Sequence, residues 1–156
     1  MDAIEGHTES MNRIMLLVDD DESLAKFIKI CVEETGSIMD IRQVTTVEKA
    51  MEYINNEGEF ADKRKNPAPA LMLLDLGLPK TSGIDFLKQF KMNKNFSGLP
   101  VVILTAMESY AVLKKAYGNH ANSCLIKPFG FENTKELIKR VTSYWGKYNR
   151  LPERAD

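Results

Sequence analysis

Short apolar runs alternate with longer segments of helical periodicity along this chain. The first run, RIMLLV at residues 13–18, has no polar face, which is typical of a strand covered on both sides. Asp40 and Arg42 interrupt the second, weaker run and indicate a strand at the edge of a sheet. All five runs predict strands, at 13–18, 38–44, 70–75, 99–106 and 123–129, the last broken by Pro128.

Between these runs, apolar residues recur at the spacing of amphipathic helices. The segments with this spacing are 23–36, 46–56, 84–93, 108–118 and about 131–149. Pro67 and Pro69 make residues 57–70 an extended loop rather than a helix. Strands that alternate with helices predict an α/β doubly wound fold, in which helices cover both faces of a five-stranded parallel sheet.

Length and charge narrow the kinds of partner to consider. The chain has 156 residues, about one domain, with 21 basic and 22 acidic residues and a net charge of -1. That balance gives no support for a general nucleic-acid or membrane surface, so we expect neither partner. The predicted organisation is a flexible extension at 1–11, one domain at 12–149 and a short tail at 150–156.

The termini and the cysteines predict a cytoplasmic protein. Residues 1–10 have neither the basic start nor the apolar run of a signal peptide. No apolar stretch approaches the ~18 residues that a membrane helix needs. Cys31 and Cys124 each lie in an apolar segment, so we expect buried free thiols in a reducing compartment rather than a disulfide.

Polar residues follow four of the predicted strands at their carboxyl ends, where open parallel sheets bind ligands. They are Asp19, Asp20 and Asp21, then Asp75, Thr105 and Lys127. Each has a common structural explanation on its own: Asp21 suits the N-cap of a helix, and a lone Thr or Lys at a strand end is usually solvated. Their convergence on one edge of the sheet predicts a binding site.

Four segments carry a family resemblance: LLVDDDES, LLLDLGLPKTSG, VVILTA and LIKPF, in that order. Together they resemble the receiver domain of two-component response regulators over residues 12–149. The second segment is the most specific, because Pro79 and Gly83 follow Asp75 at the family's intervals. The resemblance implies a flavodoxin-like sheet with strand order 2-1-3-4-5.

The resemblance also implies the chemistry of the strand ends. Asp75 matches the phosphoacceptor, and a carboxylate is a credible nucleophile for a phosphoryl group. Asp19, Asp20, Asp75 and the carbonyl of Gly77 match the ligands of one Mg²⁺, with Asp20 a direct ligand and Asp19 a water-mediated one. A divalent cation would explain why three neighbouring aspartates are tolerated.

Two further positions of the family concern the response to phosphorylation. Thr105 and Lys127 match the hydroxyl and the ammonium that bind phosphoryl oxygens, and the Lys127–Pro128 bond is expected to be cis. Many receivers carry an aromatic residue that moves with the threonine, but Cys124 stands there in this chain. The aromatic part of the switch is either missing or supplied by Tyr110 or Tyr117.

The resemblance implies a sensor histidine kinase or a phosphotransfer protein as partner. The loop NNEGEFADKRKNPAPA and the ending VTSYWGKYNRLPE resemble the small response regulators of bacterial phytochrome-type kinases, and the chain is expected to be a stand-alone receiver. Tyr144, Trp145 and Tyr148 on the last helix either form a partner surface or simply cap the domain. Any homodimer is expected through the fourth and fifth helices.

Other functions fit parts of the same pattern. A Mg²⁺-dependent phosphatase with an aspartate nucleophile needs a second acid two residues later, where this chain has Gly77. A phosphate sink or a phosphorylation-independent scaffold would keep the fold without signalling. The complete set of site residues argues against a scaffold but does not separate a sink from a signal carrier. We expect a phosphoacceptor with slow self-dephosphorylation at most, and not a metabolic enzyme.

Overall fold

Five parallel strands form one sheet in the computed structural model, which describes residues 13–151. The strands are β1 (Arg13–Val18), β2 (Met39–Val44), β3 (Pro69–Asp75), β4 (Val101–Thr105) and β5 (Ser123–Ile126). Their order across the sheet is β2-β1-β3-β4-β5, and every neighbouring pair is parallel. The predicted order is confirmed, and β2 lies at an edge as its polar residues indicated.

Helices connect successive strands and cover both faces of the sheet. They are α1 (Glu22–Glu34), α2 (Val47–Asn55), α3 (Gly83–Met92), α4 (Tyr110–Gly118) and α5 (Phe131–Ser143). Each predicted element is present. β1 has its predicted bounds, and the other elements differ from theirs by at most three residues at either end, except the last helix, which is shorter. Of the helices within residues 13–151, none combines the length and the apolar character that a membrane span requires.

The central strand β1 contributes side chains to two separate cores. Met15 and Leu17 are fully buried on the face covered by α1 and α5, whereas Leu16 and Val18 are fully buried on the face covered by α2, α3 and α4. Burial of such a side chain stabilises a fold by about 1.5–3 kcal/mol. Packing on both faces therefore fixes the carboxyl end of β1, where the acidic residues begin.

The segment between α2 and β3 is folded, whereas the sequence predicted an extended loop. A short 3-10 helix at Gly58–Phe60 opens it. Asn56 adopts a left-handed conformation, and its side-chain amide donates a hydrogen bond to the carbonyl of Asn66 at 3.1 Å. The hydroxyl of Tyr53, which is buried, donates to the carbonyl of Pro67 at 3.0 Å. These bonds hold the segment against α2.

The last helix does not run as one α-helix to Asn149. It ends at Ser143 and continues as a π-helical turn, Tyr144–Tyr148, in which the Asn149 N–H donates to the Tyr144 carbonyl at 2.6 Å. Trp145 packs against the buried core, while Tyr144 and Tyr148 are 54% and 69% exposed. The three residues predicted as either a partner surface or a cap of the domain are therefore divided between core and solvent.

Two boundaries of the sequence interpretation fall at the ends of the described chain. The predicted extension at 1–11 lies outside the described residues, as do residues 152–156 of the predicted tail.

The two cysteines are both free. Cys31 is buried, as predicted, but Cys124 is only half-buried. Its strand, β5, is the edge opposite β2, where one side lacks a neighbouring strand.

A lysine ammonium joins three segments at the end of the sheet opposite the acidic residues. Lys91, near the end of α3, is buried, and its Nζ donates to the carbonyls of Leu99 at 2.7 Å and Ser97 at 3.3 Å. The same ammonium donates to Oδ1 of Asn122 at 2.9 Å, which also accepts the N–H of Val101. All three protons of the ammonium thus have an acceptor.

Replacement of this ammonium should destabilise the fold. We expect Lys91→Met to lower the free energy of unfolding by about 2 kcal/mol, because partly buried acceptors would lose their donor. Urea unfolding followed by circular dichroism measures the change. Lys88→Met on the exposed face of α3 is the control and should change stability by less than about 0.5 kcal/mol. Equal losses in the two variants would contradict this role.

Candidate functional site

The loop after β1 holds its first aspartate rigidly. The N–H of Asp19 donates to the carbonyl of Val44 at 3.1 Å, and the residue is fully buried. Its Oδ1 accepts the N–H of Asp21 at 2.9 Å. Asp21 in turn caps α1, since its Oδ1 accepts the N–H of Leu24 at 2.9 Å. The N-cap explanation for Asp21 is therefore confirmed, and Asp20 is left exposed between the two.

The end of β3 places Asp75 beside this loop. Asp75 is only 6% exposed, and its Oδ1 accepts the N–H of Gly77 at 2.9 Å. Helix α3 begins close to the same backbone: a Cβ on Gly83 would lie 2.9 Å from Cα of Leu76 and 3.1 Å from the carbonyl oxygen of Asp75. Glycine at position 83 is thus required by this close approach, which sets α3 against the strand end.

Lys127, which follows β5, bridges the two buried acids. Its Nζ lies 2.9 Å from Oδ2 of Asp19 and 3.2 Å from Oδ2 of Asp75. Its backbone N–H donates to the carbonyl of Thr105 at 2.7 Å, which extends the β4–β5 pairing beyond the end of β5. Three strands far apart in sequence therefore converge on one ammonium.

The predicted cis bond before Pro128 is absent. No peptide bond within residues 13–151 is cis, so Lys127–Pro128 is trans. The free-energy difference between the isomers of an X–Pro bond is only about 0.5–1 kcal/mol, so tertiary contacts decide between them. The ammonium of Lys127 reaches both aspartates from the trans form.

Burial and the neighbouring charges shift the pKa values of Asp19 and Lys127 in opposite directions. Burial raises the pKa of Asp19, although the N–H of Asp21 and the ammonium of Lys127 counteract it. Burial lowers the pKa of Lys127, but its hydrogen bond to Asp19 and the charges of Asp19 and Asp75 outweigh burial, so that the pKa lies above its ordinary value. The ammonium therefore stays charged at neutral pH.

The carboxylates form a group that could hold a divalent cation. One oxygen each from Asp19, Asp20 and Asp75 lies within 4.8 Å of the others. Hard oxygen ligands of this kind suit Mg²⁺, Mn²⁺ or Ca²⁺. The oxygens already bonded to Lys127 or to backbone N–H groups have a second lone pair for a cation. The donor set therefore fits the predicted metal, whereas a role for the Gly77 carbonyl stays a prediction.

Thr105 lies next to this group at the end of β4. Asp75 pairs with Leu104 across the sheet, so Thr105 is one residue beyond the partner of Asp75. Its side chain is buried, and its Oγ1 accepts the N–H of Met107 at 3.1 Å. The four strand ends named from the sequence thus meet at one edge of the sheet.

A comparison with known families agrees with this arrangement. The family described as "Response regulator receiver domain" matches residues 15–141. The chain belongs to this family. The match lies inside the predicted domain at 12–149 and includes every strand end of the site.

Two curated relatives of this receiver domain match along most of their length. The "Probable methanogenesis regulatory protein FilR2" of Methanothrix harundinacea is 36% identical over 140 residues, which cover 89% of this chain and 87% of that protein. Response regulator Rcp1 of Synechocystis sp. is 26% identical over 140 residues, covering 90% of this chain and 93% of Rcp1.

Solved structures share the fold of the receiver. The Mn²⁺-bound form of Rcp1 has a TM-score of 0.80 at 26% identity and covers 90% of this chain and 99% of its own. The phosphorylated cyanobacterial phytochrome response regulator RcpA has a TM-score of 0.82 at 25% identity, covering 91% and 99%. The predicted similarity to phytochrome-associated response regulators is confirmed in sequence and fold.

The predicted switch position of the receiver has an aromatic neighbour. The N–H of Cys124 on β5 donates to the hydroxyl oxygen of Tyr117 on α4 at 3.2 Å. Tyr110, the other candidate, is 80% exposed. Of the two tyrosines, Tyr117 is therefore the one hydrogen-bonded to the predicted switch position, and its part in a switch stays a prediction. The π-helical turn with Tyr144 and Tyr148 packs through Gly146 on Met39, at the start of β2, and does not contribute to this site.

Sequence reasoning missed one contact with the acidic loop of the receiver. The side-chain amide of Gln43 on β2 donates to the carbonyl oxygen of Asp19 at 2.9 Å. The two residues are separated by 24 positions. The sequence signal for this contact is a polar residue at position 43, where the alternation of β2 predicts an apolar one.

The bridge by Lys127 should contribute to the stability of the metal-free protein. We expect Lys127→Met to lower the free energy of unfolding at pH 7 by about 2 kcal/mol; fully buried pairs lose 3–5 kcal/mol, but this ammonium reaches solvent. Because burial raises the pKa of Asp19, the loss should shrink as the pH falls through that raised pKa and the carboxylate is protonated. Chemical unfolding at several pH values measures it.

A surface ion pair provides the control for this prediction. Lys135 contacts Glu34 at 2.6 Å with both side chains partly exposed, and Lys135→Met should cost less than about 1 kcal/mol. Added MgCl₂ should restore part of the stability lost in Lys127→Met, since a cation between the carboxylates replaces the missing charge. A pH-independent loss that MgCl₂ leaves unchanged would contradict the electrostatic explanation.

Proposed function

We propose that this receiver domain takes a phosphoryl group onto Asp75 from a sensor histidine kinase or a phosphotransfer protein, in a reaction that requires Mg²⁺. The observation that carries the proposal is the convergence at Asp75. Its carboxylate lies 3.2 Å from the ammonium of Lys127 and within 4.8 Å of oxygens from Asp19 and Asp20. A nucleophile, a fixed cation and a set of metal ligands thus share one small region.

The proposed reaction is a direct transfer. A carboxylate oxygen of Asp75 attacks phosphorus, the bond from phosphorus to the donor breaks, and its electron pair leaves with the donor group, an imidazole in the case of phosphohistidine. Mg²⁺, when held by Asp19, Asp20, Asp75 and the Gly77 carbonyl, would neutralise the charge of the phosphoryl oxygens. The N–H of Gly77 and the ammonium of Lys127 contact the two oxygens of this carboxylate and hold its orientation.

Lys127 and Thr105 are proposed to bind the product. Once an oxygen of Asp75 carries phosphorus, the ammonium of Lys127 is in reach of a phosphoryl oxygen, because it already contacts this carboxylate at 3.2 Å. The hydroxyl of Thr105 accepts an N–H from Met107, which leaves its own hydrogen to donate. Movement of Thr105 toward the phosphoryl group would then alter the loop that begins α4.

We propose slow hydrolysis of the acyl phosphate rather than enzymatic turnover. Gly77 has no side chain at the position where an aspartate-nucleophile phosphatase carries its general acid. A Cβ there would approach Oδ1 of Asp75 to 3.3 Å, so a larger residue would press on the nucleophile. A hydrolysing water therefore lacks an acid–base partner from this position.

The proposed output is a changed protein surface on α4, β5 and α5. Tyr117 links α4 to β5 through Cys124, and both Tyr117 and Tyr110 expose much of their rings. Exposed aromatic residues are favourable at interfaces, and a second copy of this chain is one partner that could use them.

We place the reaction in the cytoplasm, where the free thiols of Cys31 and Cys124 would stay reduced.

Phosphoryl uptake should depend on one carboxylate and on the cation. After incubation with acetyl phosphate and MgCl₂, we expect intact-mass spectrometry to show one adduct of about 80 Da on the wild-type protein. Asp75→Asn and excess EDTA should each abolish it, and Lys127→Met should reduce it at least tenfold. Asp85→Asn, an exposed acid in the first turn of α3, is the control and should be labelled normally. Labelling of Asp75→Asn at the wild-type level would refute the assignment.

The thiol of Cys124 offers a native probe of the switch. Burial raises its pKa and the Tyr117 hydroxyl lowers it, whereas Cys31 is fully buried and serves as an internal reference. We expect phosphorylation to change the rate of Cys124 alkylation by about twofold or more. Thr105→Val should be phosphorylated yet lose this change. Equal rates of Cys124 alkylation in the phosphorylated and the unphosphorylated protein would argue against a change at β5.

A further inference from the structure

We infer that Gln43 is a positioning residue for the cation site, which it serves from the edge strand β2 by holding the main chain of the acidic loop. The inference rests on the proposed function, because it concerns the same three carboxylates. Its basis is the hydrogen bond from Nε2 of Gln43 to the carbonyl oxygen of Asp19 at 2.9 Å.

Gln43 occupies a place that packing alone would give to an apolar side chain. Side chains alternate along β2, and Met39 and Ile41 are buried on the face covered by α1 and α5. Gln43 is the next residue on that face and is half-buried. A polar side chain at such a position costs free energy unless its amide is bonded. The bond to Asp19 accounts for it.

The bond also completes a hydrogen-bond ladder that the backbone leaves unfinished. Directly after β1, the backbone N–H of Asp19 donates to the carbonyl of Val44, the last residue of β2. This is the last backbone hydrogen bond from the β1 chain to the β2 chain. In a parallel ladder the carbonyl of Asp19 would next accept an N–H from farther along the neighbouring chain. There the chain turns away into α2, with Thr46 as the N-cap. The side chain of Gln43 supplies the donor instead.

Holding this carbonyl fixes the direction of Asp20. The peptide between Asp19 and Asp20 is planar, so a fixed carbonyl oxygen also fixes the N–H and Cα of Asp20. The Asp20 side chain is exposed, yet one of its oxygens lies within 4.8 Å of oxygens from Asp19 and Asp75. Gln43 thus reduces the ordering that Asp20 must undergo when a cation binds, and it should affect cation affinity more than phosphoryl transfer.

Other contacts hold the neighbouring atoms but not this peptide. The carboxylate of Asp19 is fixed by Lys127 and by the N–H of Asp21, and the side chain of Asp21 is committed to the N-cap of α1. Among residues 13–151, Gln43 provides the side-chain hydrogen bond to the backbone between the first two aspartates. Its removal should therefore loosen Asp20 while leaving the Lys127 bridge in place.

Cation affinity and reaction rate separate this role from a structural one. With MgCl₂ as the probe in isothermal titration calorimetry, Gln43→Met should raise the dissociation constant about tenfold, the lower end of the effect of removing an outer-shell partner. The initial rate of phosphorylation by acetyl phosphate at saturating MgCl₂ should stay within about twofold of wild type, because Asp75, Lys127 and Thr105 are untouched. Gln89→Met, the same change on the exposed face of α3, should alter neither quantity.

A second variant covers failure of the first to fold. Gln43→Asn keeps the amide but is one methylene shorter, so it should also weaken Mg²⁺ binding, with thermal unfolding checking that it is folded. An unchanged dissociation constant in the folded Gln43 variants, or equal weakening in Gln89→Met, would overturn the inference and leave the proposed function standing. Wild-type protein that neither binds Mg²⁺ nor takes up phosphate would overturn the proposed function, and this inference with it.

Discussion

The contact of one lysine ammonium with two buried carboxylates organises the functional edge of this receiver domain. Lys127 lies 2.9 Å from Asp19 and 3.2 Å from Asp75, so it joins the ends of β1, β3 and β5. Removing acids from water is costly, and the ammonium offsets that cost while the cation is absent. Two carboxylates already exceed the charge of one ammonium, and a third acid, Asp20, increases the excess. The arrangement is therefore suited to gain a divalent cation and then an anionic phosphoryl group.

Packing elsewhere in the domain serves to keep these strand ends in place. Both faces of β1 are buried, and the close approach of Gly83 to the backbone at Asp75 and Leu76 sets the start of α3. At the edge strand, where packing is weaker, Gln43 holds the acidic loop by its side chain. The side of the site formed by central strands is thus fixed by apolar packing, and its outer side depends on individual polar contacts.

The sequence was sufficient for the sheet and for the acids, because apolar runs mark buried strands and parallel strands bring their carboxyl ends together. It was not sufficient where small free-energy differences, or contacts between residues far apart in sequence, determine the local structure. The Lys127–Pro128 bond is trans, and the sequence did not determine this because the isomers of such a bond differ by only about 0.5–1 kcal/mol. Periodicity also predicted one helix to about Asn149 and did not show that the α-helix ends at Ser143 and continues as a π-helical turn, with Trp145 against the core and Tyr144 exposed. The Gln43 contact joins residues 24 positions apart.

The central claim is that Asp75 and a divalent cation act together at this edge. A crystal structure grown with MgCl₂ and beryllium trifluoride, a mimic of the phosphoryl group, tests it most directly. The account predicts beryllium bonded to a carboxylate oxygen of Asp75, Mg²⁺ held by the carboxylates around it, and the Lys127 ammonium on a fluorine atom. Beryllium on another residue, or Mg²⁺ bound away from Asp20 and Asp75, would contradict it.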